Sequence, residues 1–233
     1  MGGMPSSPKG IPGRKDLMSY VVFREGWEVI RQKLYDSIVY PAAGSNQLTF
    51  FQLPIGQGVS AMNAAIAKTF SDTNMNLAGQ LPANLEYLVE SIEVDFFPAT
   101  PTVAAGMPAF FGAQLAATSV NDSYIFYRSG NLQFFVGQKP YLNGAPMANF
   151  PPKSHFDVSA ALSDGTTLAA ASQNRVAFPF VTGRPFMLKP ASLLLGSNSN
   201  FNITLNWPEG LQAITNPAVV RVQMDGFLFR RSQ

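Results

Sequence analysis

Glycine and proline interrupt this sequence so often that they leave little room for long helices. The 233 residues include 19 glycines and 18 prolines. Between these turn-forming residues lie short runs rich in β-branched and aromatic side chains, a composition that favours strands of roughly four to eight residues. The spacing therefore predicts a domain built mainly from short strands that are joined by turns and loops.

Several of these runs have the features of individual strands. In the clearest, 201–207, Phe, Ile, Leu and Trp alternate with Asn and Thr, which predicts one buried face. The other predicted strands cover residues 47–54, 86–97, 124–127, 132–137, 156–162, 175–181 and 217–230. Asp225-Gly226 is predicted as a turn or bulge, and Ser129-Gly130-Asn131 as a hairpin turn. About eight or nine strands with few helices predict an antiparallel sandwich or barrel.

The first 40 residues differ from the rest of the chain. Residues 1–16 are rich in glycine and proline and have little to bury, so they are predicted to form an extended N-terminal arm. Apolar residues recur at spacings of three to five over 17–40, which predicts one amphipathic helix, although the β-prone residues 35–40 would also suit a strand. Residues 41–233 are then the β-sandwich domain.

Charged residues are unusually scarce. The chain has 16 basic and 14 acidic residues, together 13% of the sequence, against roughly 25% in an ordinary soluble domain. We interpret this scarcity as a sign that much of the surface is covered by other copies of the chain. The alternative is a monomer with a surface of Asn, Gln, Ser and Thr, as in secreted lectins. The uncharged segment 96–121 contains prolines and is predicted to be a buried or lipid-contacting loop rather than a membrane span.

The termini carry an excess of positive charge. Lys9, Arg14 and Lys15 lie in the arm, and Arg230 and Arg231 lie near the C-terminus. These residues are candidates for contact with the phosphates of packaged nucleic acid or with lipid headgroups, the alternative being solvated termini. The arm lacks the continuous apolar stretch of a signal peptide, so no export is predicted. The absence of cysteine excludes disulfide bonds, thiolate zinc sites and a cysteine nucleophile.

Two loops imitate ligand-binding motifs without completing them. Residues 55–61 resemble a glycine-rich dinucleotide turn, but Pro54 precedes them and no acidic residue follows at the distance that a ribose contact needs. Asp72 begins a run like the start of a calcium loop, yet Leu77 stands where the bend needs glycine, and Ala83 where the bidentate acid belongs. A flexible turn and a polar loop are the favoured interpretations.

The acid–base residues also give no convincing active site. Ser154, His155 and Asp157 supply the chemical types of a hydrolase triad, but they are too close in sequence to converge from different elements. The acidic cluster of Glu86, Glu90, Glu93 and Asp95 is predicted to be solvated or paired with basic residues of a partner. The sequence therefore predicts no catalytic residues, no metal site and no cofactor.

The order of segments resembles the jelly-roll major capsid proteins of tailless icosahedral bacterial viruses, including those with an internal membrane. The stretches that prompt this comparison are LTFFQLPIGQ at 48–57, KT at 68–69 with DTNM at 72–75, FFVGQKPYL at 134–142 leading to FPP at 150–152, and VQMDGFLFR at 222–230. Together they span most of residues 47–230. The resemblance implies an eight-stranded sandwich of two sheets, and the strand count favours a single roll over the double roll of many such proteins.

The resemblance also implies a function. It suggests a structural subunit without enzymatic activity or small-molecule substrate, made in the host cytoplasm and located in the virion. Its partners would be copies of itself, and further candidates are other capsid proteins, packaged nucleic acid and an internal membrane. The alternative is a carbohydrate-binding or adhesin-like β-sandwich module. A hydrolase on a β scaffold, using Glu90 or Glu93 opposite a second acid, is the third hypothesis.

Overall fold

The computed structural model describes residues 26–98, 121–152, 159–162, 174–177, 185–188 and 192–231. The predicted arm and most of the uncharged segment 96–121 lie outside these ranges. The strands are β1 (Trp27–Arg31), β2 (Leu34–Tyr40), β3 (Gln47–Phe50), β4 (Leu85–Phe97), β5 (Asn131–Val136), β6 (Lys139–Pro146), β7 (Ser159–Leu162), β8 (Asn174–Ala177), β9 (Phe186–Met187), β10 (Leu193–Leu195), β11 (Phe201–Asn206) and β12 (Ala218–Arg231). Residues 121–128 form a helix, α1, and Met147–Asn149 form a 3-10 turn.

The strands form two antiparallel sheets that pack against each other. In the first sheet, β12 lies in the middle, with β1 and β2 in succession along one side and β4 along the other. The short strands β9 and β10 pair with the far edge of β4. The second sheet has the order β3-β11-β5-β6, and β7 and β8 form a separate antiparallel pair.

The chain passes between the two sheets in the order of a jelly roll. The first sheet contains β2, β4, β12 and the two short strands β9 and β10, which share one position beside β4. The second sheet contains β3, β11 and the β5–β6 hairpin. Within the described ranges each sheet therefore has four strand positions, which together give the eight positions of one roll. The predicted all-β sandwich with a single jelly roll is confirmed.

Two long strands form the framework of the first sheet. β4 and β12 pair over nearly their whole lengths, from Val219 opposite Phe97 to Arg230 opposite Leu85. The register shifts between Asp225 and Gly226, so the predicted bulge is present. The predictions for residues 132–137 and 201–207 are confirmed by β5 and β11.

The helix predicted for 17–40 is wrong wherever the structure describes this segment. Residues 27–40 form β1 and β2, so the β domain begins well before residue 41. The error has a simple cause, because a spacing of four residues keeps side chains on one side of a strand as well as on one side of a helix. Leu34 and Ile38 satisfy both patterns, whereas Tyr40, two residues after Ile38, satisfies only the strand pattern; all three pack in the core.

The strand predicted for 124–127 is also wrong, since these residues belong to α1. Its consecutive residues Phe126 and Tyr127 are both buried, Phe126 against Phe96 and Trp207, and the hydroxyl of Tyr127 donates to the carbonyl of Val94 at 2.8 Å. The aromatic composition that suggested a strand therefore reflects packing. As a result, the turn at Ser129-Gly130-Asn131 joins a helix to β5 instead of joining two strands.

The core between the sheets consists of aromatic and branched side chains. Phe134 and Ile203 of the second sheet and Val94 of the first are fully buried. α1 covers one end of this core, where the ring of Phe126 stacks on that of Phe96 with 4.5 Å between their centroids. The two sheets and α1 thus form these core contacts with one another.

Candidate interaction surface

A long loop, residues 51–84, joins β3 to β4 at the end of the sandwich opposite α1. The loop reaches the start of β11, where the N–H of Phe201 donates to the carbonyl of Gly79 at 2.8 Å. α1 instead contacts Trp207, just beyond the other end of β11. The loop contains no strand or helix, and its shape depends on turns, on backbone hydrogen bonds such as that from Gly56 to the carbonyl of Lys68 (2.8 Å), and on side-chain hydrogen bonds.

A buried ion pair anchors the loop to β2. The Nζ of Lys68 lies 2.6 Å from Oδ1 of Asp36, and the two side chains are 2% and 1% exposed. The N–H of Phe51 donates to the other carboxylate oxygen at 2.7 Å, and Phe51 adopts the left-handed conformation (φ 68°) to do so. Burial raises the pKa of the Asp36 carboxyl, and the Lys68 ammonium opposes this rise. The pair therefore fixes the middle of the loop against the core face of β2.

A second carboxylate, Asp72, organises the loop internally. It accepts hydrogen bonds from the N–H groups of Ala61 (2.8 Å) and Thr69 (2.9 Å) and from the Ser60 hydroxyl (3.1 Å). Burial raises the pKa of Asp72, but these hydrogen bonds outweigh burial, so its pKa lies below the ordinary value. Asp72 is the residue at which the predicted calcium-like run begins, and both of its carboxylate oxygens accept hydrogen bonds from these donors. The favoured interpretation of a polar loop agrees with this geometry, and no cluster of three metal-ligating residues occurs in the described part of the chain.

The loop buries its charges and exposes its apolar side chains. Between Asp36 and Glu86, Lys68 and Asp72 are the only charged residues, and both are buried. In contrast, Phe70 is 69% exposed. The large exposed apolar side chains, which we call the apolar loop surface, are Leu53, Val59, Met62, Ile66, Phe70 and Leu77. This arrangement is the reverse of the usual one in a soluble loop.

The chemistry of the apolar loop surface suits contact with another protein. The core of a protein–protein interface is depleted of charge and enriched in aromatic residues and methionine. Phe70 and Met62 provide such side chains, and the loop exposes no charged residue of its own. Beside it, the guanidinium of Arg221 from β12 donates to the carbonyl of Ser71 at 3.0 Å and to the Ser37 hydroxyl at 3.0 Å. Because buried hydrogen bonds hold the loop in place, its surface is already ordered before a partner binds.

The predicted basic termini are only partly within the described residues. Arg230 and Arg231 lie at the end of β12, next to β1. Arg230 forms an ion pair with Glu28, and the guanidinium of Arg231 lies 5.4 Å from the centre of the Trp27 ring. Lys9, Arg14 and Lys15 lie outside the described residues. Binding of phosphate by the five basic residues stays a prediction.

The acidic cluster on β4 forms ion pairs within its own chain. The Nζ of Lys33 lies 3.2 Å from Glu93, which is fully buried, and Arg31 lies 3.5 Å from Glu90. Arg31 also pairs with Asp225 of β12 at 2.9 Å. Arg31 ends β1, and Lys33 lies in the short connection between β1 and β2, so these contacts of Glu90 and Glu93 are made within the chain.

The other motifs can be placed as well. Residues 55–61, which resemble a dinucleotide turn, lie in the β3–β4 loop, and no helix follows them within that loop. A pyrophosphate would need the N-terminus of such a helix. Ser154, His155 and Asp157 lie outside the described residues.

Asp95, at the end of the acidic cluster, is expected to make stability depend on pH. Burial raises the pKa of Asp95, the side-chain amide of Gln223 donates to the carboxylate and lowers it, and the neighbouring Glu93 raises it, so that the resulting pKa is about 6. A carboxyl whose pKa is higher in the folded state binds more protons when folded, so its contribution to stability falls as pH rises between about 4 and 6. Replacing Asp95 by asparagine removes this effect.

We therefore expect Asp95→Asn to stabilise the protein by about 2 kcal/mol at pH 7 and to change stability little at pH 4. Urea unfolding at several pH values measures the difference. Glu209→Gln, at an exposed carboxylate, is the matched control and should have no such effect. The prediction would be contradicted if the difference in stability between Asp95→Asn and the parent protein were the same at pH 4 and pH 7.

The sequence analysis missed the apolar loop surface. One signal was available, because two isolated charges in a long uncharged stretch are more often paired inside a protein than left on an apolar surface. What the sequence does not reveal is that Lys68 meets Asp36, which is 32 residues away.

The fold and the site together define a single jelly-roll protein with an exposed, preordered and uncharged loop surface. Comparison with models of known protein families finds no match, and no curated protein sequence matches the chain. In the described residues, no helix has the length and apolar character that a membrane crossing requires.

Proposed function

We propose that this protein is a structural subunit of an icosahedral virus capsid and that copies of it assemble through the apolar loop surface. The observation that carries the proposal is the reversed polarity of the β3–β4 loop. Its two charged side chains, Lys68 and Asp72, are buried, while large apolar side chains face outward. Such a surface is stabilised when another protein covers it.

The jelly roll supports this proposal because its architecture suits tiling. Its loops gather at the two ends of the sandwich, and they can be enlarged without disturbing the core. In a closed shell each copy meets its neighbours through several different patches. The β3–β4 loop provides one such patch at one end, while α1 and the residues around Trp207 lie at the other.

The same surface argues for a second copy of the chain as its partner. The loop exposes no charged residue of its own that would attract the phosphates of nucleic acid or anionic lipid headgroups, and the guanidinium of Arg221 beside it already donates to Ser37 and Ser71. Within this proposal, nucleic acid or an internal membrane would instead contact the basic termini, which include Arg230 and Arg231. Contacts with other capsid proteins and location in the virion also belong to the proposal.

The proposal is tested by the oligomeric state of the purified full-length chain. Sedimentation velocity across a range of concentrations, with electron microscopy of the same samples, should show shells or defined oligomers that increase with concentration. A protein that stays monomeric at the highest concentration, with no particles on the grid, would overturn the proposal.

Phe70→Asp is expected to weaken self-association at least tenfold, because a carboxylate would lose hydration in the centre of the contact. Leu211→Asp is the matched control, since Leu211 is 60% exposed but lies in the loop between β11 and β12. Sedimentation measures association, and circular dichroism checks that both variants are folded. Equal association of Phe70→Asp and the parent protein would exclude this surface as the contact.

A further inference from the structure

The outward face of the second sheet is a separate surface with distinctive chemistry. Its four strands, β3, β5, β6 and β11, contain one charged residue, Lys139, whereas β4 of the first sheet contains four acidic residues. In β11, Phe201, Ile203 and Leu205 are buried in the core, so the alternate positions point outward. The outward side chains that we call the amide face are Gln133, Tyr141, Asn143, Asn202 and Asn206, with the buried Thr204 and the half-buried Phe135 between them.

Side-chain amides form an ordered row across this face. The Nδ2 of Asn206 donates to Oε1 of Gln133 at 3.0 Å, and the Nε2 of Gln133 donates to Oδ1 of Asn143 at 3.0 Å. The row thus crosses β11, β5 and β6. On β11, the Thr204 hydroxyl donates to the Asn202 amide oxygen at 3.3 Å. These bonds fix the side chains but use only part of their capacity, because each amide has two donor hydrogens and an oxygen that accepts more than one bond.

An exposed aromatic ring lies beside the amide row. Tyr141 is 45% exposed and stands two residues from Asn143 on β6, so the two side chains point to the same side of the sheet. The Nζ of Lys139 lies 5.1 Å from the centre of the Tyr141 ring. The side chain of Lys139 is exposed and its four-carbon stem is flexible, so its ammonium group can move away from the Tyr141 ring when another group stacks there.

From this juxtaposition we propose that the amide face binds a neutral carbohydrate. Amide groups match the hydroxyls of a sugar because both donate and accept hydrogen bonds, and an aromatic ring packs against the apolar C–H face of a pyranose. The row is already ordered, so little side-chain entropy is lost on binding. This inference is independent of the assembly proposed above, which uses the loop at the end of the sandwich.

The composition of the amide face favours a sugar over other ligands. Without a carboxylate, and with Lys139 as its single charge, the face has little to offer polyanions or basic peptides. Its outward Phe135, on β5, is half-buried opposite Asn202, and its four strands place no Met and no exposed Leu, Ile or Val on this face, in contrast to the apolar loop surface. The two surfaces therefore suit different partners.

The test uses the full-length protein on a printed array of neutral oligosaccharides of glucose, galactose, mannose and N-acetylhexosamines, with sialylated and sulfated glycans as charged probes. Neutral glycans are expected to bind. The best of them is then titrated by calorimetry. We expect Tyr141→Ala to weaken binding about tenfold, and Gln133→Met, which breaks the amide row, to weaken it to a similar extent.

Tyr124→Ala is the matched control. Tyr124 is 44% exposed and also lies beneath a cationic side chain, Arg128, but it belongs to α1 at the end of the sandwich. This variant should bind within about twofold of the parent protein. The proposal is overturned if no neutral glycan binds, if only charged glycans bind, or if Tyr141→Ala and Tyr124→Ala behave alike. None of these results affects the sedimentation test of assembly.

Discussion

Replacing Lys68 by methionine is expected to lower the free energy of unfolding by about 3–5 kcal/mol. The substitution keeps most of the side-chain volume but leaves the Asp36 carboxylate buried without its cation. The N–H groups of Phe51 and Ser37 still donate to that carboxylate, but these neutral donors do not replace the charge of the ammonium. Equilibrium unfolding in urea measures the loss, with the methionine substitution at the exposed Lys139 as the matched control.

A double variant separates the pair itself from the unpaired charge. Asp36→Leu combined with Lys68→Met removes both charges, and we expect most of the lost stability to return, because burying two charges is itself costly. If Lys68→Met alone changes stability by less than about 1 kcal/mol, the carboxylate must take up a proton or reach water, and the pair does not anchor the loop. The single variant should also weaken self-association, since the apolar loop surface depends on this anchor.

The sequence allowed the architecture to be predicted where strands are long enough to show a pattern. β11 alternates cleanly between apolar and polar residues, and β4 and β12 are long runs of β-prone residues. The bulge at Asp225-Gly226 was predictable because glycine in a strand often marks one. In contrast, β9 and β10 have only two and three residues, and no periodicity can be detected over such lengths.

Other features were hidden because they depend on tertiary contacts. In β2, Asp36 interrupts the inward apolar positions, and only its pairing with Lys68 explains a charge there. Four-residue spacings then made a helix equally consistent with the pattern. The amide face was hidden for a related reason, since Gln133, Asn143 and Asn206 become neighbours only when three strands align.

The scarcity of charge now has a more specific explanation. Charged residues are distributed unevenly over the surface, because the outer face of the first sheet has several ion pairs, including that of Arg31 with Asp225. The uncharged surface is concentrated in the β3–β4 loop and on the second sheet. The described residues thus have two distinct surfaces with little charge, one apolar and one rich in amides, and the covering of the surface by other copies of the chain stays a prediction.

Gly226→Ala is expected to destabilise the fold by about 3 kcal/mol or more, because the two longest strands meet at this residue without room for a side chain. A Cβ atom at Gly226 would lie 1.9 Å from the carbonyl oxygen of Leu88. That oxygen belongs to the backbone of β4, so it cannot rotate away. Relief would require β4 and β12 to separate at the bulge, which would open the first sheet along its centre.

Urea unfolding measures this effect, and Gly196→Ala is its matched control. At Gly196 the nearest atom to a new Cβ would be the hydroxyl oxygen of Ser199, at 3.3 Å, and a small rotation of that side chain relieves the contact. If Gly226→Ala does not fold well enough for unfolding to be measured, the prediction is supported when Gly226→Ala gives no soluble protein and Gly196→Ala is expressed at the normal yield. If both alanine variants are as stable as the parent, the close approach of β12 to β4 at the bulge is incorrect. The jelly roll would then have a different strand alignment in its first sheet, and the ion pair between Arg31 and Asp225, which depends on that alignment, would be lost with it.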